Sequence, residues 1–281
     1  MVFAFLIMAI LGGTYTMVKI GLRDLPVVGS LLLRMLVATV ALGVYARWTR
    51  VALLHRGRAA WFIAGGTLAF IAMQLLLYAG LTATPAGRAA ILYNVQPFLT
   101  LLVLPHVLPA ERLTLRRVMG TAVAFAGVVL VLAARGTSGG AWLGDALVLL
   151  AAATWTLVVV LSKTTPSEVS AVSLIFWNVA GAVPVLALLT VIVEPSATWR
   201  LSTPAVASIL YLGVLAAGVG FVGFVWLTRT YTATRVNAFV FLSPVFGVLV
   251  AWAALGESVT MRQGGGALGV ATGIWIVNTG R

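Results

Sequence analysis

Residues 87–127 read GRAAILYNVQPFLTLLVLPHVLPAERLTLRRVMGTAVAFAG, and residues 234–273 read TRVNAFVFLSPVFGVLVAWAALGESVTMRQGGGALGVATG. Residues recur between these stretches in one order, at an offset of 146 or 147: Arg88/Arg235, Pro97/Pro244, Glu111/Glu257, Thr114/Thr260, Arg116/Arg262, Gly120/Gly266 and Gly127/Gly273. Nearer the start of each half, Thr14-Tyr15-Thr16 corresponds to Thr154-Trp155-Thr156. Chance identities are common among apolar residues, but matched Arg, Pro, Glu and Thr in one register are not. The sequence therefore contains an internal repeat.

The chain around these matches is too apolar for a water-soluble protein. Hydrophobic residues make up 62% of its 281 residues and charged residues 9%, and the mean hydropathy is +1.11. In soluble domains about 45–50% of residues are apolar and about 25% are charged. A helix needs about 20 apolar residues to cross a bilayer. The apolar runs predict ten such spans, at 3–21, 27–46, 60–81, 87–105, 117–134, 142–162, 171–193, 205–228, 234–255 and 264–279. They are too long for the strands of a membrane barrel, which alternate over about ten residues.

The repeat and the spans together predict the architecture. Residues 1–135 and 141–281 form two halves of five transmembrane helices each. Because five is an odd number, the second half must be inverted relative to the first. We therefore expect an all-α polytopic membrane protein with two inverted five-helix repeats around a central cavity. Inverted repeats are typical of secondary transporters, in which the two halves expose one central site alternately to either side.

Charge predicts the orientation in the membrane. The chain has 18 Lys and Arg residues against 6 Asp and Glu, a net charge of +12. The basic residues lie mainly at the ends of spans and form no clustered face, which argues for anionic lipid headgroups and against nucleic acid as the partner. With the N-terminus inside, the internal loops hold eleven Lys and Arg residues and the external loops six. Both termini are therefore expected in the cytoplasm.

The repeated motifs resemble a known signature. Pro97, the segment Pro109-Ala110-Glu111-Arg112-Leu113-Thr114 and Gly120, followed by Pro244, Leu255-Gly256-Glu257-Ser258-Val259-Thr260 and Gly266, resemble the paired EamA signature of the drug/metabolite transporter superfamily. The first copy has Pro109-Ala110 where Leu-Gly is usual. The aromatic-rich interior is most similar to bacterial aromatic amino-acid exporters of the YddG type. The resemblance implies a carrier of the bacterial inner membrane that exports aromatic or other neutral amino acids by alternating access.

Polar and aromatic residues at mid-membrane depth are the candidates for substrate binding, because such polar groups cost free energy unless they are paired or functional. A cavity walled by Tyr and Trp with a few amides suits a flat amphipathic ligand. The candidates are Thr14, Tyr15, Gln74, Tyr78, Tyr93, Asn94, Gln96, Trp155, Trp177, Asn178 and Phe241. The alternative is that the aromatic residues fill gaps and the amides bond neighbouring helices.

Three further features have two interpretations each. Arg34 is the one charge in the middle of a predicted span, and it could either meet a substrate carboxylate or snorkel and bond helix carbonyls. Pro97 and Pro244 each remove a helical amide, which predicts either gating hinges or static kinks. The last span carries glycines at Gly265, Gly269 and Gly273. This small-residue face favours packing within the chain, hence a functional monomer, over dimerisation.

The remaining chemistry argues against other classes of function. The sequence has no Cys, two His residues at predicted edges, and no GxxxxGK[ST] loop, HExxH or G-x-S-x-G motif, so we expect no enzyme activity, no metal and no cofactor. All six acidic residues fall in loops or at span ends, which favours a facilitator over a proton-coupled carrier. The alternatives left open are an exporter of drugs, lipophilic cations or other metabolites in the same superfamily, and a pore or channel.

Overall fold

The computed structural model describes residues 2–107, 115–133, 141–166, 168–224, 227, 242–257 and 260–278. In these ranges all regular structure is helical. The helices of the first half are α1 (Val2–Gly21), α2 (Val27–Trp48), α3 (Arg58–Ala83), α4 (Ala86–Tyr93), α5 (Gln96–Val107) and α6 (Leu115–Ala133). Those of the second half are α7 (Ala141–Thr164), α8 (Ala171–Ala180), α9 (Ala182–Val193), α10 (Thr203–Leu210), a π-helix named π1 (Tyr211–Phe221), α11 (Leu242–Leu255) and α12 (Met261–Asn278). The all-α class is confirmed.

Within the described ranges, six helical stretches are long and apolar enough to cross a membrane, judged by length and composition. They are Phe3–Gly21, Val27–Trp48, Arg58–Ala83, Trp142–Thr164, Ala171–Val193 and Thr203–Phe224. Three predicted spans depart from a regular α-helix within the described residues. The fourth is divided into α4 and α5, the seventh breaks into α8 and α9 at Gly181, and the eighth continues from α10 into π1. The count of ten spans and the inversion of the halves remain predictions.

Two helices begin at a proline and are capped by a distant carboxylate. Pro26 and Pro85 hold the extended conformation that precedes α2 and α4. The Glu194 carboxylate accepts hydrogen bonds from the first free amides of α2, at 3.0 and 2.9 Å, and Glu257 does the same for α4, at 2.8 and 2.9 Å. A carboxylate at a helix N-terminus satisfies unpaired N–H groups and complements the positive end of the helix dipole.

The glycine face of the last span packs inside the chain, against α6. A Cβ atom on Gly127 of α6 would lie 2.6 Å from the Gly266 carbonyl oxygen of α12, and one on Gly269 would lie 2.9 Å from the Gly127 Cα. A similar approach joins α3 to α7, where a Cβ on Gly80 would lie 2.9 Å from the Gly144 carbonyl oxygen. Small residues let helix backbones approach this closely in a membrane. Of the two uses predicted for the glycines, the structure shows packing within the chain.

Candidate functional site

A central cavity of about 120 Å³ lies among α1, α2, α3, α4, α5, α7, π1 and α11. Its lining combines aromatic rings, amides, hydroxyl groups, thioethers and one cation. The lining residues are Met8, Leu11, Thr14, Tyr15, Arg34, Met73, Gln74, Leu77, Tyr93, Asn94, Gln96, Trp155, Phe221, Phe224 and Ser243. A mostly apolar cavity with a few convergent polar groups is the usual form of a small-molecule site.

Two aromatic pairs form facing parts of the cavity wall. The rings of Tyr15 and Tyr93 meet edge to face, with centroids 5.9 Å apart and planes at 60°. The rings of Trp155 and Phe221 lie 5.8 Å apart at 37°. Aromatic pairs in these geometries hold one another in place, so four ring surfaces from α1, α4, α7 and π1 are fixed around one space. Such a wall suits a ligand with a flat or bulky apolar part.

The one mid-span charge, Arg34, belongs to this wall. Arg34 is only 2% exposed, and its Nη1 donates a hydrogen bond to the Tyr78 hydroxyl on α3 at 3.3 Å. Its guanidinium carbon lies 5.9 Å from the centroid of the Tyr78 ring. The side chain therefore does not snorkel to the membrane surface, and its described hydrogen bond goes to a side-chain hydroxyl and not to a helix carbonyl.

Two amide residues of the lining, Asn94 and Gln96, lie at the break between α4 and α5. Between α4 and α5 the Asn94 and Val95 amides donate three residues back, to Ile91 and Leu92, both at 3.2 Å. This tighter turn frees the carbonyl of Ala90, which accepts a hydrogen bond from the Asn94 side-chain Nδ2 at 2.6 Å. The helix thus breaks immediately before Gln96 and Pro97, as the missing proline amide predicts, and the break places Asn94 and Gln96 at the cavity.

Seven of the eleven predicted binding residues line the central cavity, three do not, and one lies outside the described residues. Those on the lining are Thr14, Tyr15, Gln74, Tyr93, Asn94, Gln96 and Trp155. Asn178 lines a smaller cavity of about 30 Å³ that shares Arg34, Trp155 and Phe221 with the first. Tyr78 is fully buried behind Arg34. Trp177 lies elsewhere, because its indole Nε1 donates to the Leu53 carbonyl at 2.6 Å, and Phe241 is outside the described residues.

The two predicted hinge prolines have different surroundings. Pro97 lies in the first turn of α5, directly after the break described above. Pro244 is buried in the first turn of α11. The residues immediately before that helix lie outside the described ranges. The kink at Pro97 is thus observed, whereas its role in gating stays a prediction.

Sequence reasoning missed several lining residues. Phe221, Phe224 and Ser243 line the cavity, and an apolar or hydroxyl residue in a long apolar run gives no signal of which face it occupies. Arg34 did give a signal, because it is the one charge in the middle of a predicted span. Its absence from the candidate set reflects the snorkelling alternative, which the structure does not support.

Polar contacts join the helices at the membrane face where α1 ends, away from the cavity. Lys19 Nζ lies 3.6 Å from a carboxylate oxygen of Glu257 and donates to the Thr84 carbonyl at 2.9 Å. The guanidinium of Arg88 binds the Asp145 carboxylate, which also accepts a hydrogen bond from the Thr84 hydroxyl at 3.0 Å. Tyr15 is the last lining residue on α1, so Lys19 lies one helical turn beyond the cavity lining.

A larger groove of about 560 Å³ lies between α1, α2 and π1. Its lining offers one hydroxyl, that of Tyr45, among apolar residues and glycines. It lacks the groups that would orient a polar solute, so the smaller central cavity is the better candidate for the site.

Comparison with known proteins finds similarity to membrane transporters. The model of the EamA-like transporter family matches residues 1–133 and again residues 142–279. A probable terminal-alkyne amino-acid exporter of Streptantibioticus cattleyicolor is 31% identical over 268 residues, covering 93% of this chain and 87% of that protein. A probable amino-acid metabolite efflux pump of Escherichia coli is 29% identical, covering 98% and 93%. A solved crystal structure superimposes with a TM-score of 0.71 at 19% identity, covering 98% of this chain and 94% of that one, a likeness that shows the fold alone.

Proposed function

Because the chain belongs to the EamA-like transporter family, and is thus a multi-pass membrane transporter, we propose that it exports aromatic or other bulky neutral amino acids. The observation that carries this proposal is the central cavity, which joins four aromatic ring surfaces to the polar groups of Arg34, Gln74 and Asn94. Rings can stack on the apolar part of such a molecule while amides and the cation hold its polar end. The relatives named as exporters or efflux pumps of amino acids and their metabolites support the same class.

The proposed mechanism is alternating access. Ten spans in two inverted five-helix halves would enclose the cavity, with both termini in the cytoplasm of a bacterial cell and the protein in the inner membrane. The polar contacts around Glu257 and Asp145 support this, because they join helices near the end of α1, beyond the last residue of α1 that lines the cavity. Export would require those contacts to open once the substrate is bound. The described lining residues come from every part of one chain, from Met8 to Ser243, which supports a functional monomer.

The test is uptake by liposomes that contain the purified protein. A panel of labelled amino acids, nucleotide sugars and lipophilic cations should give saturable uptake of bulky neutral amino acids, with counterflow when unlabelled substrate is loaded inside. Transport of the cations without the amino acids would assign the protein to a multidrug function. A conductance that does not saturate would indicate a pore.

A matched pair of tryptophan variants tests the site itself. Trp155→Ala removes a ring from the cavity wall and should raise the half-saturating concentration for an aromatic amino acid about tenfold, the loss expected for about 1.4 kcal/mol of contact. Trp61→Ala removes a ring that is 80% exposed on α3, away from the cavity, and should leave transport unchanged. Equal effects of the two variants would contradict the assignment of this cavity.

A further inference from the structure

The charge of Arg34 is buried with unused hydrogen-bond donors. A guanidinium group has five N–H donors, and the described residues supply one acceptor, the Tyr78 hydroxyl. Its Nε is buried without a hydrogen-bond partner. The two acidic residues that form salt bridges in the described chain, Asp145 and Glu257, pair with Arg88 and Lys19 and not with Arg34. A buried cation that faces a cavity with free donors is suited to bind an anion.

A second unpaired donor lies on the neighbouring helix. Gln74 precedes Tyr78 by one turn on α3, so the two side chains share a face. Gln74 is 3% exposed, and its Nε2 has no hydrogen-bond partner among the described residues. Arg34 and Gln74 both line the central cavity. Donors from α2 and α3 therefore converge on one space, and a carboxylate, with two oxygens and about four acceptor positions, matches such a pair of donors.

The lining has no comparable group for a positive charge. Among the described lining residues there is no carboxylate, and the acceptors offered to an ammonium are neutral oxygens and ring faces, such as those of Tyr15, Tyr93 and Asn94. Those contacts are weaker than a charge-assisted bond between guanidinium and carboxylate. The carboxylate of an amino acid would therefore be recognised more strongly than its ammonium.

We propose that Arg34, assisted by Gln74, binds the carboxylate of the transported molecule, so that the carrier selects carboxylic acids over the corresponding amides and amines. This inference rests on the proposed function, because it names the chemical group by which an exported amino acid is held. It extends that function to acids without an α-amino group, since nothing charged in the described lining requires one.

The first experiment compares matched ligands on the unmodified protein. Phenylalanine, 3-phenylpropanoate, which lacks the amine, and phenylalaninamide, which lacks the carboxylate, compete with labelled phenylalanine for uptake into liposomes. We expect 3-phenylpropanoate to compete within about tenfold of phenylalanine and the amide to compete roughly 10- to 100-fold more weakly, the loss expected for a charged hydrogen bond. If the amide competes as well as phenylalanine, the inference is overturned while export stands. If neither phenylalanine nor leucine is transported, the proposed function itself is overturned.

Variants separate ligand binding from a structural role of the arginine. Arg34→Gln should abolish the preference for the acid over the amide, and Arg34→Lys should keep part of it. Tyr78→Phe removes the hydrogen bond that Arg34 on α2 donates to α3, but it leaves the guanidinium at the cavity. This variant should therefore retain the preference for the acid. A preference that survives in Arg34→Gln, or that is lost equally in Tyr78→Phe, would show that Arg34 only joins the helices. If Arg34→Gln does not fold, the ligand comparison decides alone.

Discussion

Arg88 binds Asp145 through two of its nitrogens, with Nη2 2.8 Å from one carboxylate oxygen and Nε 3.1 Å from both. The two side chains are 5% and 1% exposed and join α4 to α7. A buried ion pair contributes little over an apolar pair of the same shape, but the loss of one partner leaves an uncompensated charge. The pair therefore constrains which helices can separate during transport.

Removal of either partner should destabilise the protein, because it leaves the other charge buried and unpaired. We expect Arg88→Gln and Asp145→Asn each to cost about 3–5 kcal/mol, seen as a lower unfolding temperature in detergent, and the double variant to cost less than the sum of the two. Arg200→Gln is the control, because Arg200 is exposed and only its backbone amide donates a hydrogen bond, to the Asp24 carbonyl. Single variants as stable as this control would contradict the prediction.

The glycine contact between α6 and α12 should not tolerate a methyl group. In Gly127→Ala the new Cβ would meet backbone atoms of Gly266 and Val270 at 2.6 and 2.7 Å, so the helices must move apart, at a cost of about 1–3 kcal/mol. Gly264→Ala on the partner helix α12 is the control, since nothing lies within 4 Å of its Cβ position. Thermal unfolding should separate the two variants, and equal unfolding temperatures would argue against close packing at Gly127.

The sequence predicted the long regular helices well and the interruptions poorly. The bounds of α1, α2, α3 and α7 follow from apolar runs that end at charges or turn residues. The π-helix at Tyr211–Phe221 left no such signal, because its hydrogen-bond register depends on tertiary contacts. One such contact is the close approach of Gly213 to Val37, where a Cβ would lie 2.6 Å from a Val37 methyl. The capping of α2 by Glu194 also joins residues far apart in the chain and was not predictable from local sequence.

The sequence predicted how deep in the membrane the site residues lie, but not which face of each helix lines the cavity. The position of a residue along a span gives its depth in the membrane, and this identified Gln74, Tyr93 and Trp155. It does not give the face of the helix that meets the cavity. Trp177 and Asn178 are neighbours at the same depth, yet the first contacts a loop carbonyl and the second lines the small cavity beside Arg34. Only the packing of α8 against α2 and α3 distinguishes them.

Orientation in the membrane can be tested with single cysteines, because the chain has none of its own. Arg56→Cys lies in the exposed segment between α2 and α3, and Thr198→Cys lies in the exposed segment between α9 and α10. The excess of basic residues predicts that position 56 is cytoplasmic and position 198 external. In intact cells a membrane-impermeant thiol reagent should label Thr198→Cys alone, with Arg56→Cys labelled only after lysis. The reverse pattern would invert the proposed topology.

The helix break before Pro97 should matter for turnover more than for folding. Pro97→Ala restores an amide that can donate to the Tyr93 carbonyl, which favours a continuous helix in place of the turn at Asn94 and Val95. We expect normal expression and a transport rate lower by roughly tenfold, equivalent to about 1.4 kcal/mol in the barrier, and a similar loss for Pro244→Ala. Pro204→Ala is the control, because the residues directly before α10 are not helical, so an amide at position 204 would have no helical carbonyl to bond. Normal transport by both hinge variants would make the kinks packing features.

The positions of the acidic residues predict whether transport is coupled to an ion gradient. Coupling to protons usually needs a carboxylate that can release and bind a proton at the substrate site. The described acidic residues all lie elsewhere: Asp24 accepts a hydrogen bond from Ser202, Asp145 binds Arg88, Glu194 and Glu257 cap helices, and Glu168 is exposed. Glu111 lies outside the described residues. The two histidines are not on the lining either, since His55 bonds Ser173 and His106 bonds the Leu102 carbonyl.

We therefore predict transport down the substrate gradient alone, with a high internal concentration of the metabolite making the carrier an exporter in practice. In liposomes with equal substrate on both sides, an imposed pH or sodium gradient should produce no accumulation. An unlabelled substrate gradient should drive labelled substrate uphill by counterflow, because a carrier without a coupled ion exchanges one substrate for another. Asp145 is the residue to examine if a pH gradient does drive accumulation, because it is buried at the contact between α4 and α7 that must open. In that case Asp145→Asn, assayed below its lowered unfolding temperature, should abolish accumulation and retain counterflow, and the facilitator mechanism would be wrong.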